Sequence, residues 1–157
     1  MPKQKDEPQS PDSLSPHSLA IVVFSGDFDK VHYALVMAGA AAATNKPATL
    51  FFTMDACRAL LKPDTDGTHP WQKMPVSTST AKNGREMDQQ FKNRRVATFE
   101  ELMTSCAELG VTFMVCEMGL RALGITRENL RDDIDFKEGG VVSFLNAASQ
   151  DGAVLFI

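Results

Sequence analysis

Residues 19–44 read LAIVVFSGDFDKVHYALVMAGAAAAT, and the join between the two halves of that stretch decides the fold. LAIVVF is a continuous apolar run without polar alternation, the pattern of a strand covered on both faces, as in a parallel sheet. SGD interrupts it. FDKVHYALVMAGAAAAT then continues at helical length, with apolar residues nearly all round.

The same alternation repeats along the chain. ATLFFT (48–53) is the next strand, and DACRALLK a helix that stops at Pro63. Further on, FEELMTSCAELG is a helix, VTFMVC a strand and EMGLRALG a short helix. A short strand near Ile134, the helix EGGVVSFLNAASQ and the strand AVLFI complete the series. Strands alternating with helices predict an α/β sandwich around a mostly parallel sheet of about five strands. Two segments stand outside this rhythm. Residues 1–17, rich in Pro, Ser and charge, are expected to form a disordered tail ahead of one domain at 18–157. Residues 63–97 show little periodicity and are expected to be a long, mobile loop or a subunit arm.

Composition removes several function classes. The 157 residues carry a net charge of −4, which argues against nucleic acid or an anionic membrane as partner. No apolar run approaches the roughly 20 residues of a membrane span. The first residues lack a signal peptide's apolar core, so a cytoplasmic location is expected. Three cysteines without a CxxC form neither a disulfide framework nor a zinc site, and no metal or cofactor is expected. A P-loop and a dinucleotide fingerprint are both absent, since SGDFDK holds a single Gly.

In parallel sheets, ligands bind at the carboxyl ends of the strands. Four places qualify: Ser25-Gly26-Asp27, Thr53-Met54, Cys116-Glu117-Met118, and the pair Gly139-Gly140 opening the last helix. The cysteines divide by position. Cys106 falls on the apolar stripe of Phe99, Leu102, Met103 and Leu109 and belongs to the core. Cys57 lies near the rim and is a candidate second thiol. Cys116 stands where a strand becomes a helix, so free N–H groups and the helix dipole favour its thiolate, while the neighbouring Glu117 opposes it. His32, one turn past Asp29, is a packed or interface histidine rather than a base.

Taken together, SGDFDK before an Ala/Gly-rich helix, LFFT, ELGVTFMVCEMGLRALGI and GGVVSFL resemble the DsrE/DsrF-like sulfur-relay family. The similarity spans about residues 19–157 and is strongest to the branch labelled "peroxiredoxin family protein", although the chain lacks a peroxiredoxin's own cysteine motif. It implies a three-layer α/β/α sandwich, homo-oligomers, and a strand-end cysteine that carries sulfur as a persulfide. By position that cysteine is Cys116. Asp27 and Lys30 match the family's first-strand motif, and Gly139-Gly140 its late glycine pair. The expected function is a cytoplasmic sulfur carrier that passes a persulfide from a donor to a partner thiol. The alternative is a non-enzymatic ligand-binding module or an oligomeric scaffold of the same fold.

Overall fold

The protein is described by a computed structural model covering residues 15–148 and 150–157. The doubly apolar runs become the strands β1 (Leu19–Val23), β2 (Ala48–Phe52), β3 (Thr112–Cys116), β4 (Phe136–Gly139) and β5 (Ala153–Phe156). They form one sheet in the order β4-β3-β2-β1-β5, and every neighbouring pair is parallel. The helices are α1 (Phe28–Ala43), α2 (Gly84–Asn93), α3 (Phe99–Glu108), α4 (Glu117–Ala122) and α5 (Val141–Ala147). Short 3-10 turns occupy Met54–Leu60, Pro70–Lys73 and Arg127–Asn129. The α/β/α sandwich is the architecture expected. No helix among the described residues is long and apolar enough to cross a membrane.

The two faces of the sheet are covered unequally. Side chains alternate along each strand, so Ile21, Val23, Leu50, Phe52, Phe113 and Val115 share one face. There they join Phe28 and Leu35 of α1 and Phe99 and Met103 of α3 in the large core. Ala20, Phe51, Met114 and Cys116 point the other way, where among the described residues the only buried helical residue they meet is Phe144 of α5. Its ring stacks on Phe51 with centroids 4.9 Å apart. One face has a thick cover and the other a thin one.

The segment 63–97 is not a loop or an arm. Trp71, only 3% exposed, stacks on Phe28 at 5.4 Å and on Phe99 at 4.7 Å. Its indole N–H donates to Glu100 Oε1 at 2.7 Å. The buried Arg131 guanidinium grips Glu100 and Asp133 together. Helix α2 starts on Asn83, whose side chain accepts the Glu86 N–H, and lays Phe91 against the His32 ring at 4.4 Å. These contacts join residues far apart in sequence, which is why the segment's own pattern shows so little.

His32 is packed, as its position suggested. Its Nε2–H donates to the Ala97 carbonyl at 2.9 Å, and burial holds its pKa below the usual histidine range. With α2 and α3 seated on it, α1 buries Phe28, Val31, Leu35 and Ala38 within its own chain. Two smaller differences appear at the edges. Gly139 does not open a helix but ends β4, paired with Cys116, and Gly140 is the N-cap of α5. Residues 1–14 of the expected tail lie outside the described residues. Residues 15–17 are already joined to the domain, through His17 N–H to the Asp151 carbonyl at 3.1 Å and Lys46 to the Ser15 hydroxyl.

Candidate functional site

Cys116 is the last residue of β3 and the N-cap of α4, and is 1% exposed. Its side chain makes no capping hydrogen bond to the helix start, contrary to the arrangement expected from its position. Strand alternation explains this. Cys116 has the parity of Met114 and turns to the thinly covered face, whereas α4 leaves toward the large core, where Leu120 is buried. The thiol is therefore roofed by side chains of Phe51, Met114 and Phe144 rather than cradled by backbone N–H groups. Glu117 and Met118, the next two residues, are exposed.

Two of the other strand ends pack around the junction of β3 and α4. Gly139 is its partner across the sheet. A Cβ on Gly139 would come within 3.1 Å of Ser143 and 3.4 Å of the Met114 methyl, so a bare backbone lets α5 settle here. On the other side, Thr53 and Met54 meet α4 at Gly119, where a Cβ would stand 2.6 Å from the Met54 nitrogen. Met54 adopts φ 49°, a left-handed conformation rare for a side chain of its size. The tight α4 approach and this strained turn together fix the rim beside Cys116.

The first-strand motif builds a different place. Lys30 Nζ donates to Asp27 Oδ2 at 3.0 Å, and Ser25 bonds Asp27 both through its hydroxyl and by accepting the Asp27 N–H. Gly26 and Asp27 line a cleft of about 560 Å³ whose far wall is the turn at residues 70–75. Cys116 does not line it. The expected single rim is thus two sites, a roofed thiol and an open cleft. Asp55, Arg58, Lys73 and Met74 also line the cleft. None of these was singled out from sequence, because two lie in the segment that reads as a connection. The spacing of Asp55 and Arg58, which pair at 3.1 Å, was the available signal.

Cys57 is fully buried in the large core, on the opposite side of the sheet from the Cys116 layer. Burial first, and then the neighbouring Cys116 thiol, push its pKa up to about 12. At neutral pH it is a buried, protonated thiol that lies close enough to Cys116 to feel its charge. Cys106 is buried as expected, with its thiol directed at the Leu35 carbonyl, 3.4 Å away. Burial raises it to about 11. Among the described residues no cluster of three or more His, Cys, Asp or Glu side chains could hold a metal.

Similarity to known proteins identifies the family. Residues 15–156 match the DsrE/DsrF/DrsH-like family. The chain is 31% identical to the uncharacterized protein YrkE of Bacillus subtilis, over 87% of this chain and 94% of that one. It is 26% identical to the sulfur carrier protein DsrE2 of Allochromatium vinosum, over 88% of this chain and 97% of the relative. The solved structure of MTH1491 from Methanobacterium thermoautotrophicum, a protein of unknown function, shares the fold, with a TM-score of 0.52 at 12% identity. It aligns with 90% of this chain and 99% of its own. A parallel five-stranded sheet, a cysteine closing its third strand and a family match over almost every described residue lead to one conclusion: this chain belongs to the DsrE/DsrF/DrsH-like family.

Proposed function

We propose that the protein is a sulfur carrier that holds a persulfide on Cys116. The observation that carries this reading is the placement of that thiol. It closes a core strand of a chain whose relative DsrE2 is named a sulfur carrier. In the exchange, the Cys116 thiolate attacks the outer sulfur of a donor persulfide. The donor's S–S bond breaks, its electron pair leaves with the donor thiolate, and a new S–S bond forms on Cys116. An acceptor thiolate then repeats the step on the outer sulfur of Cys116. No net oxidation occurs. Because Cys116 is roofed, both steps follow a local displacement of α5, whose buried anchor is Phe144. We place the exchange in the cytoplasm, where such thiols stay reduced.

The test is intact mass after incubation with a sulfane-sulfur donor. Wild type is expected to gain one sulfur atom, and Cys116→Ser none, with the same circular dichroism spectrum. Loading that persists in Cys116→Ser would move the chemistry to another thiol and end this reading.

The carrier is further proposed to be a homo-oligomer. The support differs from that expected, since α1 buries one whole face within its own chain. Instead, Val142 of α5 is 72% exposed with Val141 and Leu145 of the same helix about half exposed, and Phe156 of β5 is 69% exposed with Val154 of the same strand half exposed. Apolar side chains grouped in this way mark an interaction surface. Light scattering at micromolar concentration is expected to give a multiple of the chain mass, reduced to the monomer by Val142→Asp together with Leu145→Asp. A monomeric wild type would refute assembly.

A further inference from the structure

Cys116 does not line the open cleft over β1 and β2, yet that cleft is built rather than incidental. Its far wall is stitched to the body of the protein by Phe28 N–H to the Pro75 carbonyl at 2.8 Å and Gly84 N–H to the Met74 carbonyl at 2.9 Å. Its floor depends on Gly26, where a Cβ would come within 2.8 Å of Asp55 Cβ. Its volume of about 560 Å³ falls in the range of small-molecule sites.

The charges of the lining sort the ligands it can take. Arg58 and Lys73 supply two cations, Asp27 and Asp55 two carboxylates, and Leu61 and Met74 apolar wall between them. Each cation is oriented but not used up. Arg58 engages Asp55 through Nε alone, leaving both terminal nitrogens without a hydrogen bond among the described residues. Lys73 Nζ donates to Asp64 at 2.5 Å and has two further N–H groups. On the acidic side, Asp27 is engaged through Oδ2 and Asp55 through Oδ1, so each keeps one free oxygen. A plain anion would face two carboxylates and a plain cation would face Arg58 and Lys73. Only a solute carrying both signs satisfies both sides.

We propose that this cleft is a second binding site, separate from Cys116, for a small zwitterion of the amino-acid or short-peptide class. The Arg58 guanidinium, with its two free terminal nitrogens, takes the ligand's carboxylate as a fork. Asp27 and Asp55 take its ammonium, and an apolar side chain lies against Leu61 and Met74. The volume fits a dipeptide or tripeptide better than a single small amino acid.

The experiment titrates the full chain with the tripeptide Gly-Leu-Gly, with the same peptide acetylated and amidated at its ends, and with sodium sulfate, following backbone amide shifts. The free peptide is expected to shift Gly26, Asp27, Arg58, Lys73 and Met74, and the capped peptide and sulfate to leave them in place. Arg58→Gln is expected to weaken the free peptide about tenfold, the loss of one charge-assisted pair. Lys73→Gln, at an exposed position, is a second variant that leaves the fold intact. Equal binding of the capped peptide would make the cleft merely apolar, and equal binding of sulfate would make it an anion site. Either result overturns the proposal, as does the absence of any shift up to about 10 mM, well past the millimolar affinities that weak sites show. Cys116→Ser is expected to bind the peptide unchanged, and Arg58→Gln to load sulfur unchanged, so the two sites stand or fall separately.

Discussion

Phe28→Ala is expected to destabilise the protein by about 4 kcal/mol, the scale of removing a fully buried phenylalanine. Phe28 is 0% exposed and its ring lies within 5.8 Å of His32, Trp71 and Phe99, centroid to centroid. The Phe91 ring stands 6.4 Å away. From α1 it touches α2, α3 and the Pro70–Lys73 turn together, so the cavity it leaves opens between elements that hold one another. Urea unfolding measures the loss. Limited trypsin digestion of the variant should cut first between Lys82 and Arg95, since that segment is held chiefly by this cluster. Unchanged protection there, with the stability lost elsewhere, would show that the Glu100 and Arg131 network holds the segment alone.

The second large effect concerns access to the thiol. Phe144→Ala is expected to raise the rate of Cys116 alkylation about a hundredfold. Removing a buried phenylalanine costs about 3 kcal/mol or more, and each 1.4 kcal/mol of easier opening is about tenfold in the exposed population. Helix α5 has only seven residues, and Phe144 is its one side chain buried in the core layer. Iodoacetamide labelling in a Cys57→Ser, Cys106→Ser background reads the rate. A rate equal to that of wild type would show that reagents reach Cys116 by a route that does not lift α5.

The fold was legible because its strands are short apolar runs buried on both faces, and few other arrangements of 157 residues conceal so many of them. LAIVVF, ATLFFT and VTFMVC each became a strand within a residue or so of the expected ends. What could not be read was direction and distance. Helix α2 is almost wholly polar apart from Met87 and Phe91, so its call to order comes from His32 and Phe28, which lie more than fifty residues earlier in the chain. Even so, Asn83 with Glu86 three residues on, and Met87 with Phe91 four apart, were a helix start and a helix face in plain view. Cys116 was found by its place at a strand end, but its orientation was not. That depends on the side of the sheet to which α4 departs, a property of the packed core rather than of residues 111–125. Likewise the cleft draws Arg58 and Lys73 from two turns that have no shared pattern in sequence.

The position of β1 between β2 and β5 has a consequence for how the protein is made. Register pairs Leu19 with Ala153 and Val22 with Phe156, so β1 waits for residues more than a hundred positions further along the chain to be synthesised. Until then β1 presents an open hydrogen-bonding edge, and long-range parallel pairing of this kind is slow and exposed to aggregation. Phe144 emerges just before β5, so the nascent chain on the ribosome carries an unroofed Cys116 for the interval between translation of β3 and completion of the sheet. The Cys116 side chain is thus most open during synthesis, before Phe144 and the completed sheet enclose it.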